Sequence, residues 1–411
     1  MKKILIVNAC DGKKNFIFEE LYKLEYKVYV LNRHRLPNIQ DFVDSWILED
    51  TTDIELCVQK VSEIHKKEAF DGILTFWEDD VILTAKINEG LGLKWIPYSQ
   101  AKNIRNKFEF RKLCKKLEIK HPNFMMIDAS TSKDDIKDFS FPCVLKPAFG
   151  ASNAFVSKCY SPEDVLSKYD LAKKSLLLEI ESALHNGDAF FIESFISGNE
   201  LDIDILVQNG EIRHISVTDN FDSQSGFFME IGQCSPSQFY KEEEKNIKKQ
   251  SINIIQKLGI RDACLHFEAK YKEGVLTPIE LNLRMWWDET WYLGKELYDV
   301  NLIDAAVKIA CAENIEDTTH KEAKCRIYSE DIFPEKAGYI RSIEVDTNRL
   351  LHLWVIHYGI VKKVWDYIGT PPEDVSYIAW YMTKCEILDK DTRWENSQSI
   401  KDCFHIEIEE E

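Results

Sequence analysis

From Leu265 to Arg284 the chain reads LHFEAKYKEGVLTPIELNLR, and its polar residues recur at every second position on either side of Lys272–Gly274. Two extended runs around that turn make a hairpin, with Thr277-Pro278 marking a local break. Folding about Glu273 and Gly274 brings Glu268 opposite Ile279 or Glu280. Strand alternation then places Glu280, Asn282 and Arg284 on one face, aligned with His266, Glu268 and Lys270 of the other strand. Two carboxylates and an amide oxygen that converge repel one another unless a cation sits between them. Such hard oxygen donors suit Mg2+, which keeps positions open for water and phosphate oxygens. The competing reading is a solvated hairpin face, and a lone Glu-x-Asn-x-Arg does not decide between the two.

Two upstream stretches bear on that choice. In FPCVLKPAFGASNAFVSK (141–158) an apolar strand delivers Lys146, Pro147 stops it, and a small-residue loop containing Ser152 leads to a further strand, AFVSK. Small residues let backbone N–H groups approach a polyanion, and a lysine supplies a point charge. The loop is not a Walker loop, since G-K-[ST] is absent, and an ordinary flexible hairpin would look the same. In FFIESFISGNELDIDILVQNGEI (190–212) two strand-like pieces flank Ser197-Gly198-Asn199. Glu193 precedes the interruption and Glu200 follows it, with Asp202 and Asp204 alternating beyond. A carboxylate there can accept hydrogen bonds from ribose, and an interrupted strand has free backbone for an adenine edge. A plain hairpin is the alternative.

The elements that must position these groups follow in order. KKILIVNA, the amphipathic NFIFEELYKLEY and KVYVLN read as strand, helix, strand, a small parallel α/β unit. Its first turn holds only Gly12, so G-x-G-x-x-G is missing. The strand GILTF (72–76) leads into a helix over WEDDVILTAKINEGLGL that closes at Gly90 or Gly92. Glu78, Asp79 and Asp80 therefore lie at a strand's C-terminal end, where they either cap the helix or form a recognition edge. A boundary falls near Ile96–Ser99. AKNIRNKFEFRKLCKKLEI then reads as one basic, solvated helix. EEEKNIKKQSINIIQKLGI is a helix stopped by Gly259, and TWYLGKELYDVNLIDAAVKIACA is helical. Beyond it, YIRSIEV, KKVWDY and SYIAWYMTKCEIL read as strands around an aromatic-rich helix at Leu350–Tyr358. There is no internal repeat.

Composition narrows the function classes. The 411 residues suffice for two or three domains, with 45% hydrophobic and 30% charged content. A net charge of −18 argues against nucleic acid as a partner. No apolar run reaches the ~18–20 residues of a membrane span, and MKKILIVNACDG is too short in apolar residues for a signal peptide. Eleven cysteines, scattered without a C-x-x-C pair, fit reduced core thiols. The expected location is cytoplasmic.

Taken in order, the three stretches resemble the ATP-grasp superfamily, and within it the carboxylate–amine ligases, a group that includes bacterial L-amino acid ligases and carnosine synthases. The resemblance spans roughly residues 1–315, and DGILTFWEDDVILTAKINEGLGL is especially like the region that precedes the catalytic part in carnosine synthases. It implies an α/β protein, α+β in its catalytic part: an N-terminal Rossmann-like parallel domain (1–98), a central ATP-grasp subdomain with the phosphate loop (99–190), a catalytic subdomain with the metal site (191–318) and a small mixed C-terminal lid or extension (319–411). It implies ATP and Mg2+ as cofactors. Lys107 and Lys146 then match the two nucleotide lysines, Ser152 the phosphate loop, Glu193 and the backbone near Ile196 the adenine hinge, and Glu200 the ribose carboxylate. Glu268, Glu280 and Asn282 match the metal ligands, and Arg284 the residue that holds the transferring phosphoryl and acyl groups, so that Arg284, Glu280 and Asn282 form the catalytic set. The implied reaction joins a small-molecule carboxylate to an amine through an acyl-phosphate, releasing ADP and phosphate.

The chain departs from the family after the arginine. Where relatives carry glycine-containing small residues it has Met285-Trp286-Trp287-Asp288-Glu289, which reshapes the substrate pocket. Asp288 either holds a substrate ammonium or opens the next helix. Glu78, Glu230, His266, Trp286, Trp287 and Asp288 are the candidate substrate contacts, with His266 or Glu230 as acceptor of the amine proton. The alternatives are an ATP-grasp kinase, a ligase with a thiol or hydroxyl acceptor, or a regulator that binds nucleotide without turnover. The C-terminal ninety-odd residues either cover the site or pair two subunits as a homodimer.

Overall fold

The fold was analysed in a computed structural model, which describes residues 1–9, 14–150, 155–176, 187–222, 228–285, 290–370, 374, 376–385 and 396–410. The N-terminal sheet is fully parallel, in the order β3-β2-β1-β4, from β1 (Lys3–Val7), β2 (Lys27–Asn32), β3 (Ser45–Leu48) and β4 (Gly72–Leu74). Its strands are apolar on both faces, as a sheet covered on both sides requires. Leu5, Val7, Tyr29 and Leu31 pack towards α2 (Ile54–His65) and α3 (Val81–Leu91). Ile4, Ile6, Val28 and Val30 pack on the other side, with α1 (Asn15–Lys23) and residues from much further along the chain. Gly92, in the left-handed conformation that glycine adopts without strain, closes α3. Asp80 makes no side-chain capping bond at the start of α3, and its Oδ2 accepts instead from Asn8 Nδ2 at 2.6 Å.

The basic segment expected as one solvated helix is two helices. α4 (Tyr98–Arg105) and α5 (Lys107–Lys116) are separated by Asn106, whose backbone is extended and whose side chain accepts from the N–H groups of Phe108 and Glu109 at 3.0 Å each. An Asn inside a basic run reads as helix interior, whereas here it starts a helix. The kink turns Arg105, Lys107 and Arg111 inward, and all three are buried.

The second sheet, β5-β8-β6-β7, joins β5 (Phe124–Ile127), β8 (Phe190–Ser194), β6 (Cys143–Pro147) and β7 (Ser157–Cys159), backed by α6 (Lys133–Ile136) and α7 (Pro162–Leu176). β7 starts at Ser157, later than AFVSK suggested. Because β8 pairs with β5 and β6, the expected boundary at 190/191 falls within this strand.

The third sheet has eight strands in the order β13-β12-β9-β10-β11-β14-β18-β16. They are β9 (Asn199–Gln208), β10 (Glu211–Asp222), β11 (Glu230–Ser235), β12 (Ala263–Lys272), β13 (Val275–Asn282), β14 (Arg326–Ile332), β16 (Val355–Ile360) and β18 (Ala379–Cys385). β8 and β9 therefore belong to different sheets, and the stretch around Ser197–Asn199 is a link between them, not a hairpin. One face carries Leu201, Ile203, Ile205, Leu265 and Phe267 against α8 (Glu242–Leu258), which Gly259 terminates. The other face is apolar at Leu206, Cys264, Ile327 and Met382, where α9 (Thr290–Tyr298) and α10 (Leu302–Ala310) pack. These two helices replace the single helix expected there, Asn301 capping α10 by accepting from Asp304 N at 3.2 Å. Their far side meets the N-terminal sheet, with Tyr26 Oη donating to Asp304 at 2.8 Å and Asn301 to Glu20 at 2.8 Å.

The C-terminal part differs most from expectation. β14, β18 and β16 extend the third sheet across the 318/319 line, so these residues are not a free-standing lid. Only β15 (Gly338–Val345), β17 (Tyr367–Ile368) and β19 (Phe404–Glu409) form a separate small sheet. The helix expected at Leu350–Tyr358 is the short α11 (Thr347–His352) followed by β16, and of KKVWDY only Tyr367 is strand, the start of β17. α12 (Ser397–Lys401) completes the fold. Among the described residues no helix is long and apolar enough to cross a membrane, and ten cysteines are free thiols.

Candidate active site

The hairpin β12–β13 pairs His266 with Asn282 and Glu268 with Glu280. Thr277-Pro278 does not break the strand. Instead the register shifts just before Glu280, leaving Ile279 as the extra residue of a bulge between Pro278 and Glu280. On β9, Asp204, Asp202 and Glu200 lie opposite His266, Glu268 and Lys270, so one face of the sheet collects five carboxylates. Glu200 forms an ion pair with Lys270.

Glu268 and Glu280 are directly opposed across the hairpin. Burial, then the charge of Glu280, pushes Glu268 up to about 8, although 27% of its side chain remains open. Burial would raise Glu280 as well, but Lys107, with Nζ 2.9 Å away, holds it below the usual carboxylate range. Asn282 donates through Nδ2 to Glu268 at 3.0 Å, and its Oδ1 is buried with no hydrogen-bond partner. An orphaned amide oxygen beside two mutually repelling carboxylates is the donor set a hard cation satisfies. No three His, Cys, Asp or Glu side chains form a metal cage among the described residues. Two carboxylates and an amide leave the rest of the shell to water and phosphate, as Mg2+ prefers.

The cations lie around this pair. Lys107, at the start of α5, also donates to Gly150 O at 2.8 Å, which fastens it to the loop after β6. Lys146, 4% exposed, is 2.5 Å from Glu193 Oε1. Burial depresses the Lys146 ammonium and the carboxylate of Glu193 opposes that. Arg284 Nε lies 2.8 Å from Glu78 Oε2, while Arg105 Nε lies 3.1 Å from Glu78 Oε1. Glu78 thus comes from the N-terminal sheet to the arginine of the third sheet.

The other candidates divide. His266, 1% exposed, has Nδ1 at 3.1 Å from Asp204, with Nε2 at 3.7 Å from both Asp202 and Glu268. Burial, then the charges of Glu200 and Asp204, raises Asp202 well above the usual range. Glu230 opens β11 and accepts from Gln233 at 2.5 Å. Ile196 lies in the link between β8 and β9. Ser152, Trp286, Trp287 and Asp288 lie outside the described residues. Arg105 and Arg111 were not singled out in the sequence. The signal for Arg111 is its place four residues after Lys107, on the same helix face.

A cleft in which a lysine of α5 and a lysine of β6 face acidic donors of the third sheet, with an arginine at the edge, suits a polyanion held together with a hard cation. Residues 139–286 match the ATP-grasp domain and residues 25–93 the ATP-grasp N-terminal domain, and the chain belongs to the ATP-grasp superfamily. It is 24% identical to human (Homo sapiens) carnosine synthase 1 over 335 residues, 75% of this chain and 40% of that one. It is 24% identical to alanine–anticapsin ligase of Bacillus subtilis (strain 168) over 232 residues, 53% of this chain and 48% of that one. The chain thus spans less than half the length of these curated relatives. The L-amino acid ligase of Bacillus licheniformis shares the fold with a TM-score of 0.85 at 21% identity, over 100% of this chain and 99% of that one.

Proposed function

We propose that the protein is an ATP- and Mg2+-dependent ligase that joins a small carboxylate to an amine, with an amino acid on at least one side. The observation that carries this is the contact of Lys107 with Glu280, which supports reading the lysine as a nucleotide contact and the carboxylate as a metal ligand of one cleft. Lys146 supplies a second cation there, and its charge acts on Glu280. The similarity to carnosine synthase 1 and alanine–anticapsin ligase supports the reaction class.

A carboxylate is a poor electrophile, so its oxygen first attacks the γ-phosphorus of ATP. The bond to the β-phosphate oxygen breaks, giving an acyl-phosphate and ADP. The amine then attacks the acyl carbon, a C–N bond forms, the C–O bond to phosphate breaks, and the ammonium proton leaves. Lys107 and Lys146 hold phosphate oxygens, and Arg284 stabilises the charge that develops on the transferring phosphoryl group. Glu268, Glu280 and Asn282 would hold Mg2+, which neutralises phosphate charge. Glu78 fixes the Arg284 guanidinium from the side of the N-terminal sheet. Glu193, the backbone near Ile196 and Glu200 serve the adenosine, and Ser152 the phosphates.

Glu280→Gln keeps the shape of the side chain and removes its charge. ADP and phosphate release with a panel of amino-acid pairs is expected to fall at least ~1,000-fold while the thermal melt stays two-state. Unchanged turnover rejects the metal assignment, and a stable phosphorylated product without condensation assigns a kinase. The reading extends to a cytoplasmic homodimer, tested by fractionation and by light scattering on the full chain.

A further inference from the structure

Among the described residues the largest fully buried side chain is that of Arg111, which is 0% exposed and has no part in the proposed chemistry. Its Nε lies 2.7 Å from Glu193 Oε2 and its Nη2 donates to Glu193 Oε1 at 3.3 Å. The same Nη2 donates to Ile279 O at 2.7 Å, the carbonyl of the bulge residue beside Glu280. Arg111 thus touches α5, β8 and β13 together. Glu193, for its part, serves two cations, Arg111 and Lys146.

That sharing has a consequence for phosphate binding. An incoming phosphate competes with Glu193 for the Lys146 ammonium. A buried carboxylate left without a partner is strongly unfavourable, so a lysine that was its sole partner would stay where it is. Arg111, with two contacts to the same carboxylate in fork geometry, keeps Glu193 paired when the lysine departs.

We propose that Arg111 is a positioning residue that satisfies Glu193 so that Lys146 is free to engage phosphate, and that anchors the Ile279 bulge next to Glu280. The proposal rests on the nucleotide reading for its phosphate step, while the exchange of partners at Glu193 belongs to the ligand-free protein. Burial holds the Lys146 ammonium down and the Arg111 charge adds to that, so losing Arg111 leaves Lys146 more tightly claimed by Glu193.

The test uses five full-length proteins: wild type, Arg111→Met, Glu193→Gln, the double variant, and Arg111→Lys as the conservative change. Without nucleotide, each is labelled with an amine-reactive acylating reagent and Lys146 is followed by peptide mass spectrometry. Arg111→Met is expected to slow labelling several-fold, and Glu193→Gln in the same chain to restore it. In parallel, MgADP binding is measured by calorimetry. Arg111→Met is expected to weaken it about 10-fold, whereas the double variant also lacks the carboxylate assigned to the adenosine, so the suppression is read from Lys146 labelling, which a merely structural role would not restore. Arg111→Lys, which keeps the charge and loses the fork, is expected to lie between. Equal labelling of Lys146 in wild type and Arg111→Met, or no recovery of Lys146 labelling in the double variant, overturns the proposal. If Arg111→Met does not fold, the Arg111→Lys labelling rate decides in its place, and a rate equal to wild type overturns it. Wild type that binds no MgADP but shows the expected labelling order overturns the nucleotide reading and leaves the partner exchange standing.

Discussion

The charged groups at the centre of this protein come in opposed sets that neutralise one another before any substrate arrives: Lys107 with Glu280, Lys146 with Glu193, Arg284 with Glu78. Each cation must change partners when a phosphate enters, so Glu78→Gln should alter catalysis more than binding. The expected outcome is a kcat reduced ~10–100-fold with the KM for ATP within about threefold of wild type, because Glu78 orients Arg284 and is not assigned to the nucleotide. A much larger change in the KM for ATP would place Glu78 on the nucleotide side. Away from the site, His214 is 1% exposed, with Nδ1 2.9 Å from Thr318 Oγ1, and burial pushes its imidazole down to about 3. The unfolded chain takes up that proton near pH 6.5 while the folded one resists it, so the stability this group contributes is complete above 6.5 and lost as pH falls towards 3. Urea unfolding should show about 2 kcal/mol less stability at pH 5 than at pH 7 from this residue. A His214→Gln variant should show correspondingly less of that slope.

At the scale of elements, the hairpin was readable because strand alternation is rigid: once the turn at Lys272–Gly274 is set, Glu268 must meet Glu280 or its neighbour. The extra residue at Ile279 was not readable, since a bulge leaves no mark beyond a nearby proline. The kink at Asn106 was hidden because Asn caps helices and also occurs inside them, and only the tertiary pull on Arg105, Lys107 and Arg111 selects the cap. Likewise the link at Ser197–Asn199 looks like a hairpin turn until one knows which sheet each strand joins. Gly198 in that link has φ +132°, and a Cβ there would come 2.6 Å from Tyr271 O. Asn106→Ala removes the acceptor for two N–H groups and should cost about 1 kcal/mol in a denaturation series. It should also raise the KM for ATP, because Lys107 is the first residue of the capped helix. A loss of stability with an unaltered KM would mean that the cap and the lysine are independent.

For the molecule as a whole, the reading of three stretches found the cleft but not its surroundings. The aromatic C-terminal sequence carried no motif, and nothing in its spacing shows that β14, β18 and β16 would continue the sheet that bears Glu268 and Glu280. A chain ending at residue 318 would lack them and bare the β11 edge, so it should be recovered aggregated, not as an active core. Soluble yield and size-exclusion profile check this, and a monodisperse, active truncation would contradict it. The layer formed by α9 and α10 has a different consequence. Ile4, Ile6, Val28 and Val30 of the first sheet pack in one core with Leu302, Ile303 and Ala306, some three hundred residues later. During synthesis the opening domain leaves the ribosome with one wall missing. At ~5–20 residues per second, the helices that close it follow on the order of 10–40 s after the first ninety-odd residues. Over that interval the nascent chain carries a bare aliphatic face, the kind of surface that aggregates unless it is shielded.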